Sequence, residues 1–276
     1  ALTADTGGPS ARARAWKALL GVGRVDHKLY LELVRRGEHP RLGEKIRNDT
    51  FRTFKNATEF VARVPEARLV RVLNAFVHAC EGDGCTYVQG MNVICGVFLF
   101  VMPELDAFYC FMTLAQRLAP SYVAKNLEGV KRGCALVEEC LALLDPELAR
   151  FLQHDLKTRA EIYAFAPVMT LSACCPPIDA VVRLWDVLFA AGVHLNIVFY
   201  ASQLVLMRDE LMSREDAGSG DVKQCLRGRD FPHLNADRLF AVAFPFLLRL
   251  VGEPELLGRI ARHTQVYPES ANGSAS

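Results

Sequence analysis

No block of five or six like charges occurs in this chain, and 32 Lys plus Arg against 31 Asp plus Glu leave a formal charge of +1. A nucleic-acid groove or a patch for an anionic membrane would show as a basic stripe, so neither partner is expected. The longest apolar run, Val93 to Met102, falls well short of the ~20 residues that cross a bilayer. No signal peptide is recognisable, and Ala1 in place of Met fits a piece of a longer chain. C-x-x-C pairs are missing too. Nine cysteines (Cys80, Cys85, Cys95, Cys110, Cys134, Cys140, Cys174, Cys175 and Cys225) lie mostly in apolar runs, which predicts free thiols in a reducing cytoplasm.

Alternating strand-like segments bounded by hairpin signals are also absent, and what stands instead is helical periodicity. Val130, Cys134, Val137, Leu141 and Leu144 recur every three or four residues, and Leu69, Val72, Leu73, Phe76 and Val77 form a second buried stripe. Trp16, Leu19 and Leu20 make one apolar face, as do Leu29, Tyr30, Leu33 and Val34. Helices are expected over 162–175 and 196–212, and the polar stretch 213–230 reads as a loop. The fold class is therefore all-α. With 276 residues the chain can bury a large core. Asp145-Pro146-Glu147, a helix cap with proline in the next first turn, divides it into subdomains at 11–145 and 146–267.

Familiar chemistry is missing in turn. The glycines of Gly82-Asp83-Gly84 do not extend to G-x-G-x-x-G, no Walker lysine motif appears, and no G-x-S-x-G elbow occurs. None of the seven histidines has another at i+3 or i+4, so no helical metal site is expected.

Two polar features remain. Asp49 and Arg52 lie one helical turn apart, and spacing alone favours a surface ion pair worth a few tenths of a kcal/mol. The other is a turn, Tyr87-Val88-Gln89-Gly90-Met91-Asn92, which places an amide at the mouth of an apolar helix.

Four stretches taken together carry a resemblance. Arg12-x-x-x-Trp16 with Leu19-Leu20-Gly21, Ile46-x-x-Asp49-x-x-Arg52-Thr53-Phe54, Tyr87-x-Gln89-Gly90-Met91-Asn92, and Pro177 followed by Arg183-Leu184-Trp185-Asp186-x-x-Phe189 appear in that order. In this respect the chain resembles the TBC family of activators of Rab-type GTPases, from Arg12 to about Leu250. It departs from the pattern at Lys55, where the family commonly has proline, and at Tyr163 to Thr170, where a tryptophan-phenylalanine pair is missing. The segments Ile162 to Pro177 and Gly192 to Asn196 look most like the branch associated with mitotic exit and septation.

The resemblance implies a multi-helix TBC-like fold and a Rab GAP supplying Arg52 as an arginine finger and Gln89 as a glutamine finger to a Rab-like small GTPase. Asp49, Tyr87, Gly90 and Asn92 would support them, and Arg183 and Asp186 would stand behind. The chain would hold no cofactor of its own, because GTP and Mg²⁺ arrive with the partner. An accessory scaffold protein, a cytoplasmic location with recruitment to membranes or cytoskeleton, and a role in vesicle trafficking belong to the same expectation. The rival reading is a catalytically weak or inactive adaptor that keeps the fold and binds a GTPase or scaffold.

Overall fold

The computed structural model describes residues 10–82, 86–124, 126–213 and 233–266, and every regular element among them is a helix. Helix α1 (Ala11–Leu19) starts where Ser10 Oγ accepts from the Ala13 N–H at 3.2 Å, and α2 (His27–Arg35) where Asp26 Oδ1 accepts from Lys28 and Leu29. Helices α3 (Gly43–Thr50) and α4 (Thr58–Arg63) flank the Arg52-Thr53-Phe54 segment. The amphipathic α5 (Glu66–Ala79) and the nearly all-apolar α6 (Met91–Val101) come next. Helix α7 (Glu104–Thr113) runs into a π-helical turn, Leu114–Leu118, before the short α8 (Pro120–Val123). Helix α9 (Glu128–Leu144) ends at Asp145, whose side chain accepts from Leu148 at 3.0 Å and caps α10 (Pro146–Arg150). Then follow α11 (Ala160–Met169), α12 (Ile178–Ala191), α13 (Asn196–Leu206), α14 (Arg208–Met212), α15 (Ala236–Leu250) and α16 (Pro254–Arg262).

An aromatic knot joins distant parts of the sequence. Trp16 of α1, Phe98 of α6, and Trp185 and Phe189 of α12 pack together, the Trp16–Phe189 and Phe98–Trp185 pairs edge to face with centroids 4.9 and 5.3 Å apart. Each indole N–H has an acceptor: Trp16 Nε1 donates to Asp186 Oδ1 at 2.7 Å, and Trp185 Nε1 to the Leu171 carbonyl at 2.8 Å. Helix α6 packs on α5 and α7, with α3 along its start. The expected division falls between α9 and α10, yet α9 lies chiefly against α11 and α13, beyond it in sequence.

Several details differ from periodicity. Leu19 and Leu29 lie on the predicted apolar faces but are 49% and 44% exposed, because α1 and α2 meet the core along narrower stripes. The helix expected over 162–175 stops at Met169. Leu171 and Ser172 take left-handed φ of 51° and 58°, held by the bond from Ser172 N to Pro167 O at 2.7 Å and by the Trp185 indole. The helix expected over 196–212 is broken at Met207. Most of the loop expected at 213–230 and the tail from 268 lie outside the described residues. Among the described residues six cysteines are free thiols, whereas Cys80 is disulfide-bonded, against the expectation for that position.

At the end of α16 a buried histidine sets a pH dependence. His263 Nδ1–H donates to the Ile260 carbonyl at 2.6 Å, and Nε2 accepts the Tyr122 hydroxyl at 2.8 Å, so the neutral ring is fully bonded. Burial lowers its pKa from 6.5 to about 4. Between those values the unfolded chain takes up a proton that the folded chain refuses, so stability falls as pH falls from about 6.5 to about 4. We expect this one group to contribute a slope of up to about 1.4 kcal/mol per pH unit in that window. Urea unfolding at pH 7 and pH 5 measures it, and His263→Gln should flatten the difference.

Candidate functional site

The base of the site is built at the C-terminal end of α3. Ile46 and Asp49 lie on its inner face, at 0% and 4% exposure, while Arg52 emerges one turn later with its side chain 58% exposed. The acid is therefore buried and only the base faces out, unlike the surface pair that spacing suggested. One Asp49 oxygen accepts from Arg52 Nη2, and the other accepts the Tyr87 hydroxyl at 2.9 Å. Burial, and then the Asp49 charge, push the Tyr87 pKa up, so the phenol stays protonated and donates. Lys45 Nζ lies 5.7 Å from the centre of that ring.

The next residues fasten the arginine loop to α6. Thr53 Oγ1 donates to the Asp49 carbonyl at 2.9 Å and accepts from Asn92 Nδ2 at 2.8 Å. Phe54, at φ 48°, packs on Phe60 with centroids 4.8 Å apart. Both rings press on Gly96, where a Cβ would come within 3.2 Å of Phe60 and 3.3 Å of Phe54. Glycine inside a helix costs about 1 kcal/mol relative to alanine. Here it leaves room for the rings that carry the loop.

The glutamine turn rests on the same groups. Asn92, 3% exposed, accepts from the Gly90 N–H at 2.9 Å and donates to the Asp49 carbonyl at 3.3 Å. Gly90 has φ 107°, where a side chain is strained, and a Cβ there would lie 3.3 Å from both Met169 and Thr170. The turn thus seats closely on the end of α11 and leads into α6, with the Gln89 side chain on an exposed residue. Arg52, Asp49, Tyr87, Gly90 and Asn92 form one connected network, and Gln89 stands on its rim.

Arg183 and Asp186 have other partners. Arg183 makes a two-pronged, exposed ion pair with Asp237 at the start of α15. Asp186 takes the Trp16 indole and Arg12 Nε, at 3.1 and 3.2 Å, and so ties α1 to α12. Lys55, at the departure from the family pattern, lies over the Phe51 ring at 4.5 Å. Sequence reasoning did not single out Thr53, Phe54, Gly96 or Thr170. The R-T-F triplet was the available signal for the first two, while the others are defined only by three-dimensional contact.

Among the described residues, His39 Nε2, His78 Nδ1 and Glu81 gather potential ligand atoms within 4.8 Å of one another. His39 Nδ1, however, accepts from the Arg41 and Leu42 N–H groups, both at 3.2 Å. The neutral ring then carries its proton on Nε2, the atom a metal would need.

The described fold is multi-helix, and one buried network holds an exposed arginine and the turn of an exposed glutamine. Residues 9–212 match the family described as the Rab-GTPase-TBC domain, and the chain belongs to that family. It is 38% identical over 241 residues to the putative mitotic check point protein BUB2 of Dictyostelium discoideum, covering 87% of this chain and 63% of that protein. It is 37% identical over 260 residues to cell division control protein 16 of Schizosaccharomyces pombe, covering 94% of this chain and 82% of the relative. The crystal structure of the Chlamydomonas flagellar RabGAP TBC domain shares the fold, with a TM-score of 0.71 at 23% identity over 84% of this chain and 78% of that one.

Asn92 is the joint of the network. Asn92→Ala leaves the Gly90 N–H and the Asp49 carbonyl region without their side-chain partner, and such losses cost about 1–3 kcal/mol for a buried group. We expect a drop of that size in the free energy of chemical unfolding. Tyr87→Phe should lose a similar amount through the missing donor to Asp49.

Proposed function

We propose that the chain accelerates GTP hydrolysis on a Rab-like small GTPase by supplying Arg52 and Gln89 in trans. The observation that supports this most is the division of labour at Asp49. Its carboxylate is buried and bonded on both oxygens, while the guanidinium it holds stays largely in solvent. A buried anchor under an exposed cation leaves that cation held yet able to meet another molecule.

In this reading Arg52 neutralises the charge that develops as the γ-phosphoryl group leaves, because a guanidinium is always charged and can donate two parallel hydrogen bonds. Gln89 orients the attacking water, its amide combining one acceptor with two donors. Asp49 keeps Arg52 extended while the site is empty, which reduces the ordering needed on docking. GTP and Mg²⁺ belong to the partner, and the chain's contribution is placement of two side chains.

The names of the relatives point to cell division rather than vesicle trafficking as the setting, and we extend that to this chain as part of the proposal. An accessory scaffold protein and a cytoplasmic place of action are proposed with it. No helix among the described residues is long and apolar enough to cross a membrane; recruitment to membranes or to the cytoskeleton through partners belongs to the same proposal.

Single-turnover hydrolysis across a panel of Rab-like GTPases tests the reading. An arginine finger is worth ~10³ to 10⁵ in rate, roughly 4 to 7 kcal/mol of barrier. Arg52→Ala and Gln89→Ala should each slow the activated reaction by orders of magnitude while leaving the unfolding transition near that of the parent chain. Wild-type rates in both variants would overturn the fingers. Tight binding with no acceleration by the parent chain would establish the adaptor instead.

A further inference from the structure

The turn that seats Gly90 carries two adjacent thiols the mechanism does not use. Cys174 and Cys175 follow Thr170, Leu171 and Ser172, with their sulfurs 3.9 Å apart and in hydrogen-bonding contact. Cys174 is partly exposed and Cys175 is buried. The hydrogen bond from Cys175, supported by Thr170, lowers the Cys174 pKa, while the same contact and burial raise that of Cys175. A more acidic thiol on a partly exposed residue, 3.9 Å from a less acidic one, is the arrangement in which the first is oxidised and the second resolves it.

We propose that Cys174 and Cys175 form an oxidation site whose closure to a disulfide loosens the glutamine turn. The Cys174 thiolate attacks a hydroperoxide, forming an S–O bond and breaking O–O, and the distal oxygen stays on sulfur as a sulfenic acid while the other leaves as water or an alcohol. Cys175 sulfur then displaces that hydroxyl: S–S forms, S–O breaks, and a second water departs with the Cys175 proton. Two electrons pass from the sulfurs to the peroxide, and the site returns to thiols on reduction by an external thiol.

Closure must twist the backbone. The peptide bond holds neighbouring Cα atoms about 3.8 Å apart, below the roughly 4.4 to 6.8 Å that disulfides ordinarily span, so the ring closes only with rotation about the bonds between the two residues. The sulfurs have to approach from 3.9 Å to about 2 Å. Cys174 is tied to the site by its N–H, which donates to Thr170 Oγ1 at 3.3 Å. The methyl of that same Thr170 lies where a Gly90 Cβ would touch it at 3.3 Å. A shift of residues 170–175 therefore removes the seat of the turn that carries Gln89. The effect on hydrolysis rests on the proposed function, whereas the oxidation and the loosening of the turn do not.

The chain is treated with hydrogen peroxide, its remaining thiols are blocked, and the peptide holding Cys174 and Cys175 is weighed. We expect loss of two hydrogens, about 2 Da, with no blocking label, and restoration by dithiothreitol. Amide exchange at Gly90, whose N–H donates to Asn92, should speed up several-fold. Activation of hydrolysis should fall several-fold and recover with reductant. Cys174→Ser should keep its rate and its Gly90 protection after peroxide. Where Cys175→Ser folds, sulfenic acid should accumulate on Cys174. A pair that still takes two labels after peroxide overturns the site, and a disulfide that leaves Gly90 exchange unchanged overturns the coupling. If the reduced chain activates no GTPase, the finger reading fails, and mass and exchange still decide this proposal.

Discussion

A buried carboxylate with two different partners fixes the geometry of the whole site. Asp49 accepts Arg52 on one oxygen and Tyr87 on the other, and its own carbonyl accepts from Thr53 and Asn92. The arginine loop after α3 and the glutamine turn before α6 are 38 residues apart in sequence at the Asp49–Tyr87 bond, yet they answer to one residue. An unpaired carboxylate would be costly at this depth, so Arg52 and Tyr87 stabilise it as much as it orders them. Loss of either loop's contact would leave the other poorly held.

Rigidity below and exposure above follow from the way α6 is mounted. Its start bears the Gly90–Asn92 bond, its middle takes Phe54 and Phe60 against Gly96, and its Phe98 enters the aromatic knot with Trp16 and Trp185. Arg12 and Asp186, from two distant motifs, close that knot at the edge with an ion pair. The motifs thus divide into two kinds: Asp49 to Asn92 position two side chains that face out, and Arg12, Trp16, Trp185 and Asp186 hold the helix on which those side chains stand. Residues far from any chemistry can then matter to it, because a small displacement of a positioned group is expensive in rate.

Most helices were legible because their apolar residues recur at three and four, and one start because Asp145 is a side-chain cap; Ser10 and Asp26 cap α1 and α2 in the same way without having been read so. The end of α11 was not legible. An apolar run through Cys175 reads as helix, and what stops it is the indole of Trp185 drawing on the Leu171 carbonyl from another element. At the site, Arg52 and Gln89 could be named as the proposed fingers only through the family resemblance, and the contacts that hold them could not be read at all. Asp49 to Arg52 looked like an exposed pair because sequence spacing gives a shared face and says nothing of which end of that pair is covered. Tyr87, far along the chain, is what covers it.

The central claim is that Arg52 and Gln89 serve the transition state of another protein's GTP hydrolysis, and binding to a transition-state mimic reads that most directly. The measurement is equilibrium affinity for a partner GTPase loaded with GDP, with and without aluminium fluoride. The account predicts that fluoride tightens binding by roughly a hundredfold or more, and that Arg52→Ala abolishes the gain while keeping the weaker GDP-state affinity. Equal affinity with and without fluoride, or an undiminished gain in Arg52→Ala, would contradict it.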